Sequence, residues 1–160
     1  MDLLKFFHEI GQLKQFPRSG WLHKGVEQPE SIADHTFRTA AIAFVLAREL
    51  DENPHRATSM ALFHDLSEAR IQDLHGLSQQ YLEKEGAVRE AFDDIVAAAG
   101  DHAEAVSELF DEYEDSESEL ATIVKDADLL EGAIQAKEYV ARGYSTCKIL
   151  LEKYPDVMET

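Results

Sequence analysis

With 160 residues, 44% of them apolar and 29% charged, the chain has the composition of one folded domain with a real core. Acidic residues outnumber basic ones 32 to 15, and the formal charge of −17 repels a nucleic-acid backbone, which excludes polymeric DNA or RNA as a general partner. A small phosphorylated molecule stays admissible if a metal ion and a few local cations override that field. The longest apolar stretches, such as Ala40 to Ala47, fall far short of the roughly 18 to 20 residues that span a bilayer. The opening Met1-Asp2-Leu3-Leu4-Lys5 lacks the basic-then-apolar layout of a signal peptide, so a cytoplasmic location is expected. Cys147 is the only cysteine, which rules out an intramolecular disulfide and a multi-thiolate zinc site; any metal must use nitrogen and oxygen.

Apolar residues recur at three- and four-residue spacing throughout, and alternating strand patterns are nearly absent, so the expected fold is all-α: a single helical bundle over 1–160. Leu3, Phe6, Phe7, Ile10 and Leu13 form one stripe of a first helix that ends near Pro17. Pro17 to Pro29, with Gly20 and Gly25 between the prolines, reads as an irregular segment whose Arg18, Trp21, His23 and Lys24 make it a candidate binding loop. Ser31-Ile32-Ala33-Asp34 has the form of a capping box, opening a helix to about Leu50. Asn53-Pro54 supplies an N-cap and N1 proline for another helix through about Ala69. Both helices are apolar enough to be central.

After a break around Gly76, Gln79 to Ala98 reads as helical with an interruption near Gly86, and Gly100-Asp101 separates a short helix ending near Tyr113. Ser116-Glu117-Ser118-Glu119 is a second capping box, with a helix behind it to about Ala141 that Gly143 closes. A last amphipathic helix is expected over 145–153. Phe92 and Tyr139, at helical spacing among apolar residues, belong to the core, and Cys147 reads as a structural thiol.

Polar interruptions in the apolar helices carry the chemistry. His64-Asp65 lies inside Met60-Ala61-Leu62-Phe63-His64-Asp65-Leu66, where an unpaired carboxylate costs several kcal/mol in lost solvation. Neighbouring helical residues point about 100° apart, so a cation between those directions takes an imidazole nitrogen from one and a carboxylate oxygen from the other. Glu68 follows on the same face. Asp34-His35 and Lys125-Asp126-Ala127-Asp128 interrupt two further helices, so three helices can point ligands at one place; spacing leaves both Asp126 and Asp128 available.

These residues carry a family resemblance. Phe16-Pro17-Arg18-Ser19-Gly20-Trp21, Pro29-Glu30-Ser31-Ile32-Ala33-Asp34-His35, His64-Asp65-Leu66-Ser67-Glu68 and Val124-Lys125-Asp126-Ala127-Asp128 resemble, in order, the signature stretches of the HD-domain superfamily of metal-dependent phosphohydrolases. Within it they are most similar to the YfbR-like 5′-deoxynucleotidases and their eukaryotic HD-domain-containing relatives, over about residues 3–140. The resemblance implies an HD-type helical bundle that hydrolyses 2′-deoxyribonucleoside 5′-monophosphates.

It further implies metal ligands at His35, His64, Asp65 and Asp128, holding one divalent cation for which Mn²⁺, Co²⁺, Fe²⁺, Ni²⁺ or Zn²⁺ suits better than Ca²⁺. Glu68 and Asp73 match the catalytic carboxylates, one orienting water for in-line attack and the other assisting departure of the sugar oxygen. Arg18 matches the phosphate-contacting arginine and Trp21 the aromatic residue that shapes the sugar pocket, although Ser19 and Gly20 intervene here where the bacterial form has arginine and tryptophan adjacent. Lys125 adds positive charge near the phosphate. Relatives of this type commonly form homodimers, with the C-terminal helix able to supply part of the contact. Two alternatives stay open: another phosphate ester as substrate, or a non-catalytic protein in which the cation only holds the bundle together.

Overall fold

The computed structural model describes residues 2–82 and 84–151. Helices α1 (Leu3–Gln12), α2 (Ser19–His23), α3 (Ile32–Glu49), α4 (Pro54–Phe63), α5 (Glu68–Ile71), α6 (Lys84–Val96), α7 (Ala103–Asp115), α8 (Glu119–Ala141) and α9 (Lys148–Leu151) follow in chain order. No strand occurs among the described residues; an isolated antiparallel bridge joins Pro17 to Ser31. The all-α expectation holds.

Helix α3 is the axis of the bundle, packed along α4 and α8. Its seam is built from small side chains: Ala40, Ala43, Ala47, Ala57, Ala61, Ala121 and Ala127 are buried together, and residues of that size let helices approach closely. A second cluster gathers Phe6, Leu13, Ile32, Leu66, Phe92 and Phe110 below the axis, with the Phe92 and Phe110 rings stacked at 3.8 Å. A third holds Trp21, Val26, Ala136, Tyr139, Cys147 and Leu151. Phe92, Tyr139 and Cys147 are core residues as expected.

Start signals were legible. The Ser31 hydroxyl accepts from the Asp34 N–H while the Asp34 carboxylate accepts from the Ser31 N–H, closing the capping box that opens α3. Asn53 caps α4, with Pro54 at its first position. Several boundaries differ from expectation. Phe7 is 60% exposed, since only Phe6 of that pair faces inward. The segment after Pro17 is not wholly irregular, because α2 inserts a short helix there. The helix expected to run through Ala69 stops at Phe63. From there the N–H groups of Leu66, Glu68, Ala69 and Arg70 bond to carbonyls three residues back, so the ladder tightens across 64–67 before α5.

Gly86 lies inside α6, in the first turn where N–H groups need no intrahelical partner; the discontinuity falls ahead of it. Ser118, rather than Ser116, caps α8 by accepting from the Ala121 N–H. Ser116 instead takes a left-handed conformation (φ +58°) that ends α7. The expected last helix begins with a 3₁₀ turn at Ser145–Cys147 and continues as α9, and its residues 152–153 lie outside the described residues. Among the described residues no helix is long and apolar enough to cross a membrane.

Candidate metal centre

Helix α3 carries His35 on its first turn, α8 carries Asp128, and the tightened turn after α4 carries His64 and Asp65. These four side chains meet. His35 Nε2 lies 3.1 Å from Asp128 Oδ1 and 3.6 Å from Asp65 Oδ2, and His64 Nε2 lies 3.2 Å from Asp65 Oδ2. Ligand atoms of His35, His64 and Asp65 all fall within 4.8 Å of one another. Asp126, which spacing alone left open, is exposed on the outer face of α8.

The state of His64 tests whether a cation fits. Its Nδ1 is 2.7 Å from the Ala61 carbonyl oxygen, which can only accept, so Nδ1 carries the proton. Its Nε2 is sealed from solvent and, 3.2 Å from Asp65 Oδ2, makes no well-formed hydrogen bond. A buried polar atom left so costs about 1 to 3 kcal/mol. A divalent ion accepting the Nε2 lone pair together with the facing carboxylates removes that cost, and a set of two imidazoles and two carboxylates suits a first-row transition ion.

Electrostatics follow from the crowding. Burial disfavours a charge on His35, but its bonds to Asp128 and Glu131 overcome that and push the imidazole up to about 10. Burial likewise works against a charged His64, and Asp65 reverses it, raising His64 above its ordinary value. Asp65 is held below the usual carboxylate range: His64, Arg18 and His35 outweigh its burial. A cation held here would therefore compete with protons for the imidazole nitrogens.

Beside these groups opens a cavity of about 390 Å³ whose walls include Arg18, Glu68, Asp73, Tyr113 and Lys125. Arg18 Nη1 reaches Asp65 Oδ2 at 3.4 Å. Asp73 Oδ2 accepts from the Ser19 N–H at 2.7 Å, tying the segment after α5 to the Arg18 segment. Lys125 Nζ sits 4.9 Å from the centre of the Tyr113 ring and contacts the Ser116 hydroxyl. Trp21 does not line this cavity. It is 4% exposed, donates to Glu30 Oε1 at 2.9 Å and packs edge-on against Tyr139, walling a neighbouring space of about 230 Å³ that Arg18, Asp73 and His75 also border. His23 stacks on His75 at 5.0 Å beside it. A larger and more open cavity, about 500 Å³ between Gln28, Phe37, Arg38 and Arg142, borders none of the four clustered side chains.

Asp73 is delivered by an unusual backbone. Gln72 ends α5 at φ +62° and ψ 168°, a region that essentially only glycine occupies without strain. Gln72→Gly is therefore expected to stabilise the fold by about 1 kcal/mol after the glycine's extra chain entropy is subtracted, raising the melting temperature by about 2 to 4 °C. A melting temperature at or below the parent's in a calorimetric scan would show that no strain is stored there.

Three residues around the site were missed in the sequence. Glu131 and Arg38 were not singled out, yet Glu131 is fully buried, and both lie three residues from a clustered side chain on the same helix face. That i+3 relation to Asp128 and to His35 was the available signal. Tyr113 read as a helix end but packs edge-on against His64 at 5.4 Å, and burial pushes its phenol well above the ordinary tyrosine range.

Comparison with known proteins places the fold in a family. The HD-domain profile matches residues 10–160. The 5′-deoxynucleotidase HDDC2 of Mus musculus is 38% identical over 139 residues, which is 86% of this chain and 69% of that relative. A conserved hypothetical protein from Pyrococcus furiosus superposes with a TM-score of 0.84 at 37% identity, over 98% of this chain and 90% of its own. A predicted metal-dependent phosphohydrolase from Magnetospirillum magnetotacticum MS-1 does so with a TM-score of 0.73 at 25% identity, over 94% of this chain and 81% of its own. With its helical bundle, its clustered His, His-Asp and Asp side chains and a profile match over nearly its whole length, the chain belongs to the HD-domain family.

Proposed function

We propose that this protein is a metal-dependent phosphomonoesterase that hydrolyses 2′-deoxyribonucleoside 5′-monophosphates to deoxynucleoside and phosphate. The observation that carries the reading is the shared cavity: His64, Asp65 and Asp128 stand on one wall with the buried His35 against their carboxylates, and Arg18, Glu68 and Asp73 stand on the others. His35, His64, Asp65 and Asp128 would hold one divalent ion, drawn from Mn²⁺, Co²⁺, Fe²⁺, Ni²⁺ and Zn²⁺. Such an ion supplies Lewis acidity, withdrawing charge from a phosphate oxygen and lowering the pKa of the attacking water.

The chain's own groups do the remainder. Arg18, held by Asp65 at 3.4 Å, offers a planar fork to the phosphate dianion, and Lys125 adds a second positive charge from α8. Glu68 and Asp73 handle the protons, one taking a proton from the incoming water and the other giving one to the departing 5′-oxygen. Asp73 and Arg18 border both cavities, so a phosphate on Arg18 directs the sugar toward the space that Trp21 walls. Trp21 shapes that space from behind, since its own polar atom is already engaged by Glu30.

Two carboxylates beyond the four clustered side chains, Glu68 and Asp73, face the cavity, which favours a catalytic over a purely structural cation. Helix α3 leaves Phe37 and Val45 exposed at 75% and 55%, apolar surface that a homodimer would cover. The test of function is a panel of ribo- and deoxyribonucleoside 5′-monophosphates assayed with each of the five metals. Phosphate is expected fastest from the deoxy substrates. Release from none of them with any metal refutes the reading, and equal rates on AMP and dAMP remove the preference for deoxyribose.

A further inference from the structure

The two clustered histidines are steered differently. His64 gives its Nδ1 proton to a main-chain carbonyl, whereas His35 Nδ1 lies 2.5 Å from Glu131 Oε2, with both residues completely buried. The other oxygen of Glu131 accepts from Arg38 Nε at 2.9 Å and Arg38 Nη2 at 2.7 Å. Arg38 is anchored in turn by Glu138 Oε1 at 3.0 Å and by the Gln135 side chain. His35 and Arg38 are three residues apart on α3, and Asp128, Glu131, Gln135 and Glu138 recur along one face of α8, so a single register of the two helices builds the whole row.

A carboxylate with no exposed surface is an expensive way to fill a helix interface; apolar residues of the same volume serve stability at least as well. What Glu131 does that a leucine does not is decide where the His35 proton resides. Its carboxylate is saturated with donors by Arg38 on one oxygen, leaving the other as an acceptor only, so Nδ1 must carry hydrogen and the lone pair of the neutral ring falls on Nε2. That nitrogen is the one facing Asp128 and Asp65.

We infer that Glu131, oriented by Arg38, is the positioning residue that fixes the tautomer and ring direction of His35 toward the metal. This rests on the proposed metal site. Glu131 does not line the cavity and acts through His35. Arg38 demands an acceptor from position 131, so in Glu131→Gln the amide oxygen turns to Arg38 and the amide NH₂ turns to His35. A donor then meets Nδ1, the ring proton is driven to Nε2, and the ligand atom is blocked.

The measurement is metal affinity itself, by calorimetric titration of Co²⁺ or Zn²⁺ into the purified metal-free full chain, with far-UV dichroism as the check on folding. Glu131→Gln is expected to bind about 10- to 100-fold more weakly than the parent. The decisive variant adds Arg38→Met: with the arginine gone the amide is free to flip its oxygen toward Nδ1, so the double variant binds more tightly than Glu131→Gln alone. A merely structural role predicts the opposite, a second loss added to the first, and that result overturns the inference, as does parental affinity in Glu131→Gln. Should Glu131→Gln fail to fold, Glu131→Asp takes its place, withdrawing the carboxylate by one methylene: a tenfold or greater loss of affinity supports the inference and parental affinity overturns it. A parent that binds no divalent cation refutes the metal site instead, so the two failures are distinguishable.

Discussion

Asp65→Asn is expected to lower phosphate release by at least about 10³-fold while leaving the helical fold intact. The carboxylate Oδ2 lies within 3.2 to 3.6 Å of three groups at once, His64 Nε2, Arg18 Nη1 and His35 Nε2. Removing its charge deprives the proposed cation of an anionic ligand and Arg18 of its guide. Lewis-acid stabilisation of a phosphoryl transition state is worth several kcal/mol, and each 1.36 kcal/mol is tenfold in rate, so about 10³ is the conservative end. Folding survives because asparagine fills the same volume, His35 keeps its partners Asp128 and Glu131, and His64 loses the neighbour that raises it, so that its neutral ring buries at modest expense. Steady-state phosphate release with saturating Mn²⁺, alongside far-UV dichroism, checks both halves. Activity within tenfold of the parent would show that Asp65 is not a ligand.

Glu68→Gln separates chemistry from metal binding. The Glu68 side chain is 6% exposed at the cavity wall, where it begins α5 directly beyond the turn that bears His64 and Asp65. The amide keeps the shape and cannot exchange a proton, so kcat is expected to fall by about 10² to 10⁴, with Co²⁺ affinity within a few-fold of the parent. Asp65→Asn loses both quantities, which makes the pair informative. Equal loss of metal affinity and kcat in Glu68→Gln would move Glu68 into the ligand set and leave Asp73 as the sole proton-transfer group.

The legible parts of this protein were those whose signal is local. Ser31 with Asp34 and Asn53 with Pro54 declare helix starts through contacts three residues long, and both starts stand where the sequence puts them. His64-Asp65 inside an apolar run declares a buried ionic group through hydropathy alone. The illegible parts depend on distant partners. Nothing local to residues 60–69 stops a helix at Phe63; the tightened turn puts His64 and Asp65 beside α3 and α8, more than 25 residues away in sequence. Glu131 looks like one more acid among 32 until Arg38 and His35 are seen around it. Trp21 shows the reverse case, a residue whose neighbours in sequence suggest a pocket lining but whose side chain is taken up by Glu30 and Tyr139.

The bridge between Pro17 and Ser31 has an evolutionary corollary. Arg18 N–H to Glu30 carbonyl at 3.0 Å and Ile32 N–H to Phe16 carbonyl at 2.9 Å clamp the two ends of the Arg18 segment together, and Asp73 grips it again at Ser19. Between the two clamps Trp21 and Val26 turn inward to the third core cluster, while Leu22, His23, Glu27 and Gln28 stay outside. Substitution at those exposed positions carries little energetic penalty, whereas Trp21 and Val26 are held by packing. The clamps fix where Arg18 stands while the exposed positions of the same segment can change around it, so the proposed phosphate contact is uncoupled from the surface on which selection for new substrates can act.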